Sequence, residues 1–143
     1  MEKHVISALV ENHSGVLNRI SGLFSRRGYN IDSLSVGETE NPSISRMTIV
    51  TKADKQMQEQ IKKQLNKLIE VIKIVELNET SAVYRELALI KVGANHENRA
   101  EIIEIANIFR THIVDVSKEV LILEATGDQG KIKALTEMLQ PYG

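Results

Sequence analysis

The chain contains no cysteine and no tryptophan, and only 3% of its 143 residues are aromatic. The lack of cysteine excludes disulfides, thiolate metal ligands and thiol nucleophiles. The shortage of aromatic rings argues against base stacking, on which recognition of single-stranded nucleic acid depends. The longest apolar runs span only a few residues, so the sequence predicts no segment that crosses a bilayer.

Charge is balanced and spread along the sequence. The 18 Lys and Arg residues nearly match the 19 Asp and Glu residues, for a formal net charge of −1. Because the basic residues are scattered, the sequence predicts no footprint for a phosphate backbone and no nucleic-acid partner. The N-terminus, Met1-Glu2-Lys3-His4, has no signal-peptide pattern, so we expect a cytoplasmic protein without a membrane anchor.

The first half of the chain predicts the order β-α-β-β-α-β. Residues 4–11 are typical of a strand that ends at the turn residues 12–15. Apolar residues at helical spacing then predict a helix over roughly 15–27, with Gly28 at its C-terminus. The remaining elements are strands at 30–38, 43–52 and 70–78 and a helix that Asp54 caps. This order is the split βαβ, or ferredoxin-like, motif.

The second half repeats the pattern but stops one strand early. Its predicted elements are strands at 87–92, 113–117 and 120–126, a helix with the apolar residues Ile102, Ile103, Ala106 and Phe109, and a helix that Asp128 caps. We therefore predict an α+β protein of two tandem ferredoxin-like units, residues 1–78 and 79–143, with a short connector at 79–83. The second unit lacks its closing strand. Because helices cover only one face of each sheet, we expect the other unit or another subunit to cover the second face, and we expect a dimer.

The sequence shows no catalytic constellation. The chain has four histidines, His4, His13, His96 and His112, and none has metal-ligand spacing to another. Ser14 lies in no nucleophile elbow, and the glycines at 127 and 130 lack the lysine and hydroxyl of a phosphate-binding loop. Acylphosphatases share the βαββαβ order and work with one Arg and one Asn. An enzyme of that kind, using Arg19 or Arg46, is therefore one alternative.

The polar loop at 12–15 and the helix start that follows suit a small anionic ligand. Free backbone N–H groups and the positive end of the helix macrodipole favour a carboxylate, and Gly15 allows a ligand close to the backbone. Asn12 offers a donor and an acceptor, while Val16 and Leu17 offer apolar contacts. The alternative is that Asn12 and Ser14 only cap the helix. The residues themselves leave both interpretations open.

A second polar point, Asn30 followed by Ile31, lies past the other end of the same helix. If two subunits pair edge to edge about a two-fold axis, Asn30 of one subunit faces the 12–15 loop of the other. Such a pocket would bind an α-amino acid by both charged ends and enclose an aliphatic side chain. The sequence therefore predicts a homodimer in which the first units pair along their sheet edges.

Longer motifs around these residues carry a family resemblance. They are Glu11-Asn12-His13-Ser14-Gly15-Val16-Leu17, Leu23-Phe24-Ser25-Arg26-Arg27-Gly28-Tyr29-Asn30-Ile31 and Ser45-Arg46-Met47-Thr48-Ile49 in the first half, and Glu86-Leu87-Ala88-Leu89-Ile90-Lys91-Val92 and Ile108-Phe109-Arg110 with Ile113-Val114-Asp115-Val116 in the second. The chain resembles the small, regulatory subunit of acetolactate (acetohydroxyacid) synthase. In that family the first unit is an ACT domain, an amino-acid-sensing module.

The resemblance implies a regulatory subunit with no catalytic residues and no cofactor of its own. Thiamine diphosphate, magnesium and FAD would belong to the catalytic (large) subunit. This chain would bind and activate that subunit and confer feedback inhibition by valine or another branched-chain amino acid. The implied effector contacts are Asn12, His13, Ser14, Gly15, Val16 and Leu17 of one chain with Asn30 and Ile31 of its partner.

The resemblance also implies a division of labour between the two units. The first unit would bind the effector and dimerise, and the second would contact the catalytic subunit. Family members usually continue past the equivalent of Gly143, which indicates either a truncated chain or a tail absent from this sequence. A free-standing amino-acid-responsive ACT regulator is the alternative function. The absence of a helix-turn-helix segment and of a basic patch disfavours a DNA-binding regulator.

Overall fold

A computed structural model describes residues 2–78 and 81–143, and the chain divides into two units, Met1–Ala82 and Val83–Gly143. The second unit and the connector were both predicted to start at residue 79. Residues 79 and 80 lie outside the described residues. Among the described helices, none combines the length and the apolar character that a membrane span requires.

The first unit has the predicted β-α-β-β-α-β order. Its elements are β1 (Glu2–Glu11), α1 (Val16–Arg26), β2 (Ser33–Glu38), β3 (Ile44–Ala53), α2 (Lys55–Asn66) and β4 (Val71–Leu77). The strands form one antiparallel sheet in the order β2-β3-β1-β4. Alternate residues of β1 and β3 are buried against the two helices. The other face of the sheet, which we call the outer face, therefore carries the remaining alternate residues.

Side chains at the ends of the first unit's helices fix where those helices start and stop. The carboxylate of Asp54 accepts a hydrogen bond from the backbone N–H of Met57 at 2.8 Å, which confirms the predicted cap of α2. Gly28 follows α1 with a φ of +71°, a conformation that favours glycine at a helix C-terminus. The predicted apolar stripe of α1 is buried except for Leu17, which is 45% exposed.

The second unit repeats the arrangement with three strands. Its elements are β5 (Glu86–Gly93), α3 (Arg99–Ile108), β6 (His112–Val116), β7 (Val120–Gly127), α4 (Gln129–Leu139) and a 3-10 turn, Gln140–Tyr142. The described strands form an antiparallel sheet in the order β5-β7-β6. Asp128 caps α4 through the N–H of Lys131 at 2.8 Å. The prediction of two ferredoxin-like units, the second without its closing strand, is confirmed.

One predicted strand starts later than its sequence pattern indicates. The pattern predicted a strand from residue 30, but β2 begins at Ser33. The Asn30 side chain instead donates to the carboxylate of Asp32 at 2.7 Å, and the Asn30 carbonyl accepts from the Thr51 hydroxyl at 2.6 Å. Asp32 already donates its N–H to the Val50 carbonyl at 2.8 Å, whereas Asn30 and Ile31 lie in an irregular segment before β2, where these bonds hold Asn30 at the surface.

Candidate functional site

The 12–15 loop is fastened to the β2–β3 hairpin rather than to α1. The backbone N–H of Asn12 donates to the carbonyl of Ser43 at 2.8 Å, and its side-chain nitrogen donates to the carbonyl of Pro42, also at 2.8 Å. The side chain of Asn12 therefore does not cap α1. Because its amide nitrogen is engaged, the oxygen of the same amide is the group that Asn12 presents as an acceptor.

The start of α1 has no side-chain cap. Gly15 is the N-cap residue, and none of the described side chains accepts a hydrogen bond at this cap. The alternative in which Asn12 and Ser14 serve only as caps is therefore not supported. Gly15 has a φ of +93°, which strains any residue with a Cβ, although a Cβ there would meet nothing within 4 Å. The N–H of Val16 donates to the His13 carbonyl at 3.4 Å, which leaves the N–H groups of Leu17 and Asn18 in the first turn as the candidate anion donors.

An ion pair that the sequence pattern does not reveal lies beside this loop. Arg19 Nη1 lies 2.8 Å from Glu70 Oε1, and the Glu70 side chain is only 13% exposed. The Glu70 carbonyl accepts from the N–H of Glu11, just before the loop, and the N–H of Arg19 donates to the carbonyl of Gly15, at its end. The ion pair therefore connects α1, which begins where the loop ends, to Glu70, the residue before β4 whose backbone holds the start of the loop. The sequence separation of Arg19 and Glu70 gave no signal of this contact.

The same contacts remove support for an acylphosphatase. Arg19 is neutralised by Glu70, and Arg46 Nε donates to Ser7 Oγ at 3.1 Å. Arg46 and Ser7 lie on the outer face of the sheet, because Ser7 alternates with the buried residues of β1. Arg19 projects from α1, which covers the opposite face. The two arginines therefore do not converge with one Asn on a phosphate-sized site.

The apolar residues of the predicted site differ in their availability. Val16 is 3% exposed and belongs to the core of the first unit, so only its backbone can meet a ligand. Leu17 is 45% exposed beside the loop and is the available apolar side chain. His13 is exposed, with Nδ1 at 3.2 Å from the Ser14 carbonyl and Nε2 at 3.7 Å from Glu11 Oε1.

Asn30 and Ile31 are not brought to this loop within one chain. They follow the C-terminus of α1, and a helix of 11 residues is roughly 16 Å long. Asn30 is exposed, and its amide nitrogen is bonded to Asp32, so its oxygen faces outward as an acceptor. Ile31 is half-buried against the core. One chain therefore supplies two half-sites at opposite ends of α1.

The corresponding loop of the second unit is occupied by its own side chains. The Asn95 side-chain oxygen accepts from the N–H groups of Glu97 and Asn98 at 2.9 and 3.0 Å. Arg99 Nη2 donates to the carbonyls of Ala94 and Lys118 at 3.0 and 2.8 Å, and also to that of Ser117. Asn95 and Arg99 therefore bond this loop internally, although α3, like α1, has no side-chain cap, and Asn98 Oδ1 is buried without a partner among the described residues.

Comparison with known proteins identifies the family of this chain. Residues 6–73 match the AHAS small subunit-like ACT domain. Residues 85–143 match the family described as small subunit of acetolactate synthase. The acetolactate synthase small subunit of Mycobacterium avium is 57% identical over 140 residues, which cover 98% of this chain and 84% of that protein. The chain belongs to the acetolactate synthase small-subunit family.

Further relatives agree with this assignment. The probable acetolactate synthase small subunit of Archaeoglobus fulgidus is 55% identical over 141 residues, which cover 99% of this chain and 88% of that protein. The crystal structure of the acetolactate synthase small subunit from Thermotoga maritima superposes with a TM-score of 0.91 at 43% identity and covers 97% of this chain. The predicted family and fold are confirmed, and a small subunit implies a catalytic subunit as its partner.

Proposed function

We propose that this chain has no catalytic activity of its own, activates the catalytic subunit of an acetolactate synthase, and makes it sensitive to feedback by valine or another branched-chain amino acid. The observation that carries the proposal is the uncapped start of α1 above the left-handed Gly15. Family membership supports the regulatory assignment. The thiamine diphosphate, magnesium and FAD of the reaction would belong to the catalytic subunit.

A two-fold dimer in which the β2 strands of two chains pair would complete the effector pocket. β2 is an edge strand whose six residues are all exposed, including Leu34 and Val36 at 38% and 45%. Antiparallel pairing of two such edges sets the start of one β2 beside the end of the other. Asn30 precedes the start of β2, and the hairpin after its end holds the 12–15 loop through Asn12. The partner's half-site would therefore meet this loop.

The chemistry of the two half-sites fits an α-amino acid. The first turn of α1 would bind the carboxylate through backbone N–H groups. The side-chain oxygens of Asn12 and of Asn30 from the other subunit would accept from the ammonium group, because both amide nitrogens are already bonded. Leu17 and the other subunit's Ile31 would enclose a short aliphatic side chain. A branched-chain amino acid has these three parts.

Reconstitution tests this function. The chain is co-purified with the catalytic subunit, and acetolactate formation is measured with and without L-valine, L-leucine and L-isoleucine. We expect the chain to raise the activity of the catalytic subunit and an L-amino acid to lower it, while D-valine at the same concentration has little effect. Activation without any amino-acid response would contradict the sensing role. Light scattering of the chain alone tests the dimer, since a strictly monomeric species at micromolar concentration contradicts the pocket.

A further inference from the structure

The turn that joins β2 to β3 is held together by Asn41. The side-chain oxygen of Asn41 accepts from the backbone N–H of Ser43 at 3.1 Å and from the Ser43 hydroxyl at 2.7 Å. Its carbonyl accepts from the N–H of Ile44 at 2.9 Å, and its own N–H donates to the Thr39 hydroxyl at 3.2 Å. The backbone groups and the side-chain oxygen of Asn41 are therefore all bonded within the hairpin.

Pro42 restricts the same turn from within. A proline ring fixes its own φ at about −65° and disfavours helical conformations of the residue before it. Asn41 precedes Pro42 and bonds the residue that follows it, so both neighbours of the proline are also constrained. The turn therefore presents the carbonyl groups of residues 42 and 43 in fixed directions.

These two carbonyl groups are the ones that hold Asn12. The Pro42 carbonyl accepts from the side-chain nitrogen of Asn12 at 2.8 Å, and the Ser43 carbonyl accepts from its backbone N–H at 2.8 Å. Because a carbonyl oxygen only accepts, the nitrogen of the Asn12 amide must face the turn and the amide oxygen must face away from it. The turn thus orients the oxygen that would accept from the effector's ammonium group.

The pairing of the sheet does not extend to this turn. The paired residues of β2 and β3 run from Ser33 with Val50 to Glu38 with Ser45. Residues 41–43 lie beyond the last pair, and all three are exposed. Loss of the side-chain bonds of Asn41 should therefore change where the carbonyl groups of the turn point more than it changes the pairing of the strands.

We propose that Asn41 is a positioning residue for the effector: it fixes the turn that orients Asn12, and it thereby sets the affinity for the ammonium group of an α-amino acid. This inference rests on the proposed function and adds to its site a residue that does not touch the ligand. The sequence gives no signal of this role, because Asn12 and Pro42 are 30 positions apart.

The test compares two substitutions of Asn41 with a neighbouring control. Asn41→Ala removes the oxygen that holds Ser43, whereas Asn41→Asp keeps an acceptor in the same place. The control is Glu40→Ala, which shortens an exposed side chain of the same hairpin that forms no ion pair with the described residues. Each full-length chain is combined with the catalytic subunit, and the valine concentration that half-inhibits acetolactate formation is measured. Circular dichroism and light scattering check the fold and the dimer.

We expect Asn41→Ala to raise the half-inhibiting valine concentration by about fivefold or more, because the hydrogen bonds that fix the turn are lost. Asn41→Asp and Glu40→Ala should both stay within about twofold of the unmodified chain. The conservative variant therefore separates loss of the side-chain acceptor from any change at this position.

A second measurement asks whether Asn41 acts through Asn12. Asn12→Ala alone should raise the half-inhibiting valine concentration by about tenfold. Adding Asn41→Ala to that variant should have almost no further effect, because the group that the turn orients is already gone. Two effects that multiply would show that Asn41 influences the effector by another route, and would overturn the inference.

Other results would overturn this inference while leaving the proposed function intact. An unchanged valine response in Asn41→Ala would show that Asn12 is oriented without this turn. A loss in Asn41→Asp as large as that in Asn41→Ala would show that the side-chain acceptor is not what matters. Loss of the dimer in Asn41→Ala would assign the residue to subunit pairing. By contrast, no valine response from the unmodified chain would count against the proposed function itself.

Discussion

The two units place a loop at the same point of a repeated fold, and they complete it differently. In the first unit the loop after β1 leads to Gly15, and none of the described side chains caps α1. In the second unit Asn95 accepts from two N–H groups within its own loop, before α3, and Arg99 connects that loop to the carbonyls of Ser117 and Lys118. Neither helix start has a side-chain cap among the described residues, so the two loops differ in that Arg99 and Asn95 bond the second loop internally, whereas the first turns at a left-handed Gly15 with open space around it.

The physical consequence is a difference in what each loop can bind. Hydrogen-bonding groups at a helix start must be satisfied by side chains, water or a ligand. A ligand gains from groups that the protein has left open and gains little from groups that are already paired. In the second unit the loop is held by the bonds of Asn95 and Arg99, which contribute to stability, and the first loop, at Gly15, is the candidate effector site of each chain.

The largest expected effect comes from introducing a negative charge at Gly15 in the loop of the first unit. Gly15→Asp brings a carboxylate to the position proposed for the effector's carboxylate, and two like charges a few Å apart cost about 1–4 kcal/mol near a protein surface. Feedback by valine should weaken by roughly fivefold to several hundredfold. The measurement is the valine concentration that half-inhibits the reconstituted enzyme.

Gly15→Asn is the matched control for this variant. In both variants a residue with a Cβ must adopt the backbone φ of +93° at position 15. Both substitutions should therefore lower the stability of the first unit by roughly 1–2 kcal/mol. Helix N-termini tolerate acidic residues, but this favourable interaction does not remove the backbone strain at residue 15. Only the Asp variant adds a negative charge. An equal loss of feedback in both variants would place the carboxylate of the effector elsewhere.

Features that depend on local sequence were well predicted. The spacing of apolar residues and the position of Gly28 predicted α1 within a residue or two at each end. Asp54 and Asp128 were correctly predicted to cap α2 and α4, because an Asx cap is read from the residues directly before a helix. The loop at 12–15 was also recognised, since turn residues and glycine are concentrated there.

Features that depend on register and on distant contacts could not be predicted. The bond from Asn12 to Pro42, the ion pair of Arg19 with Glu70 and the carbonyl contacts of Arg99 all join residues that are far apart in sequence. The sign of φ at Gly15 and the burial of Val16 follow from how α1 packs on the sheet. Periodicity assigns a residue to a face, but it does not say which distant residue lies opposite.

The second prediction concerns the loop of the second unit that Arg99 holds together. Arg99→Met removes the guanidinium group that donates to three backbone carbonyls while retaining most of the side-chain volume. Hydrogen bonds from a charged donor contribute about 1.5–3 kcal/mol, so urea denaturation should show a loss of this size in the second unit. Lys118→Met, a neighbouring change in an exposed side chain, is the control and should have little effect. If Arg99→Met leaves stability unchanged, the closure of this loop does not depend on the arginine.

A smaller effect is expected from the ion pair around the open loop. Glu70→Gln keeps the shape of a side chain that is 13% exposed but removes its charge opposite Arg19, which is 62% exposed. For a pair of this mixed exposure we expect a loss of about 1 kcal/mol in the stability of the first unit. Valine affinity should fall by a similar free energy, because the loop is held between these residues. Glu137→Gln, at an exposed site on α4 that forms no ion pair with the described residues, is a suitable control. Stability loss without a change in valine affinity would limit Glu70 to a structural role.

The smallest expected effect comes from the ion pairs that connect α2 to β4 in the first unit. In the first unit Lys62 on α2 lies 3.0 Å from Glu59 and 3.3 Å from Glu76 on β4. Hydrogen bonds to Glu59 and then to Glu76 raise the pKa of Lys62 above its ordinary value of 10.5. A raised pKa in the folded state means that the ammonium group stabilises the fold below pH 10.5, and that this contribution is lost as the pH rises through the higher folded value.

Lys62→Gln should therefore be less stable than the unmodified chain by about 0.5 kcal/mol at neutral pH, and the difference should shrink toward zero above pH 10.5. Lys63→Gln, at an exposed neighbour, should show no such pH dependence. Urea denaturation at a series of pH values measures both variants, and a difference that persists unchanged at alkaline pH would show that packing, not charge, is what Lys62 contributes between α2 and β4.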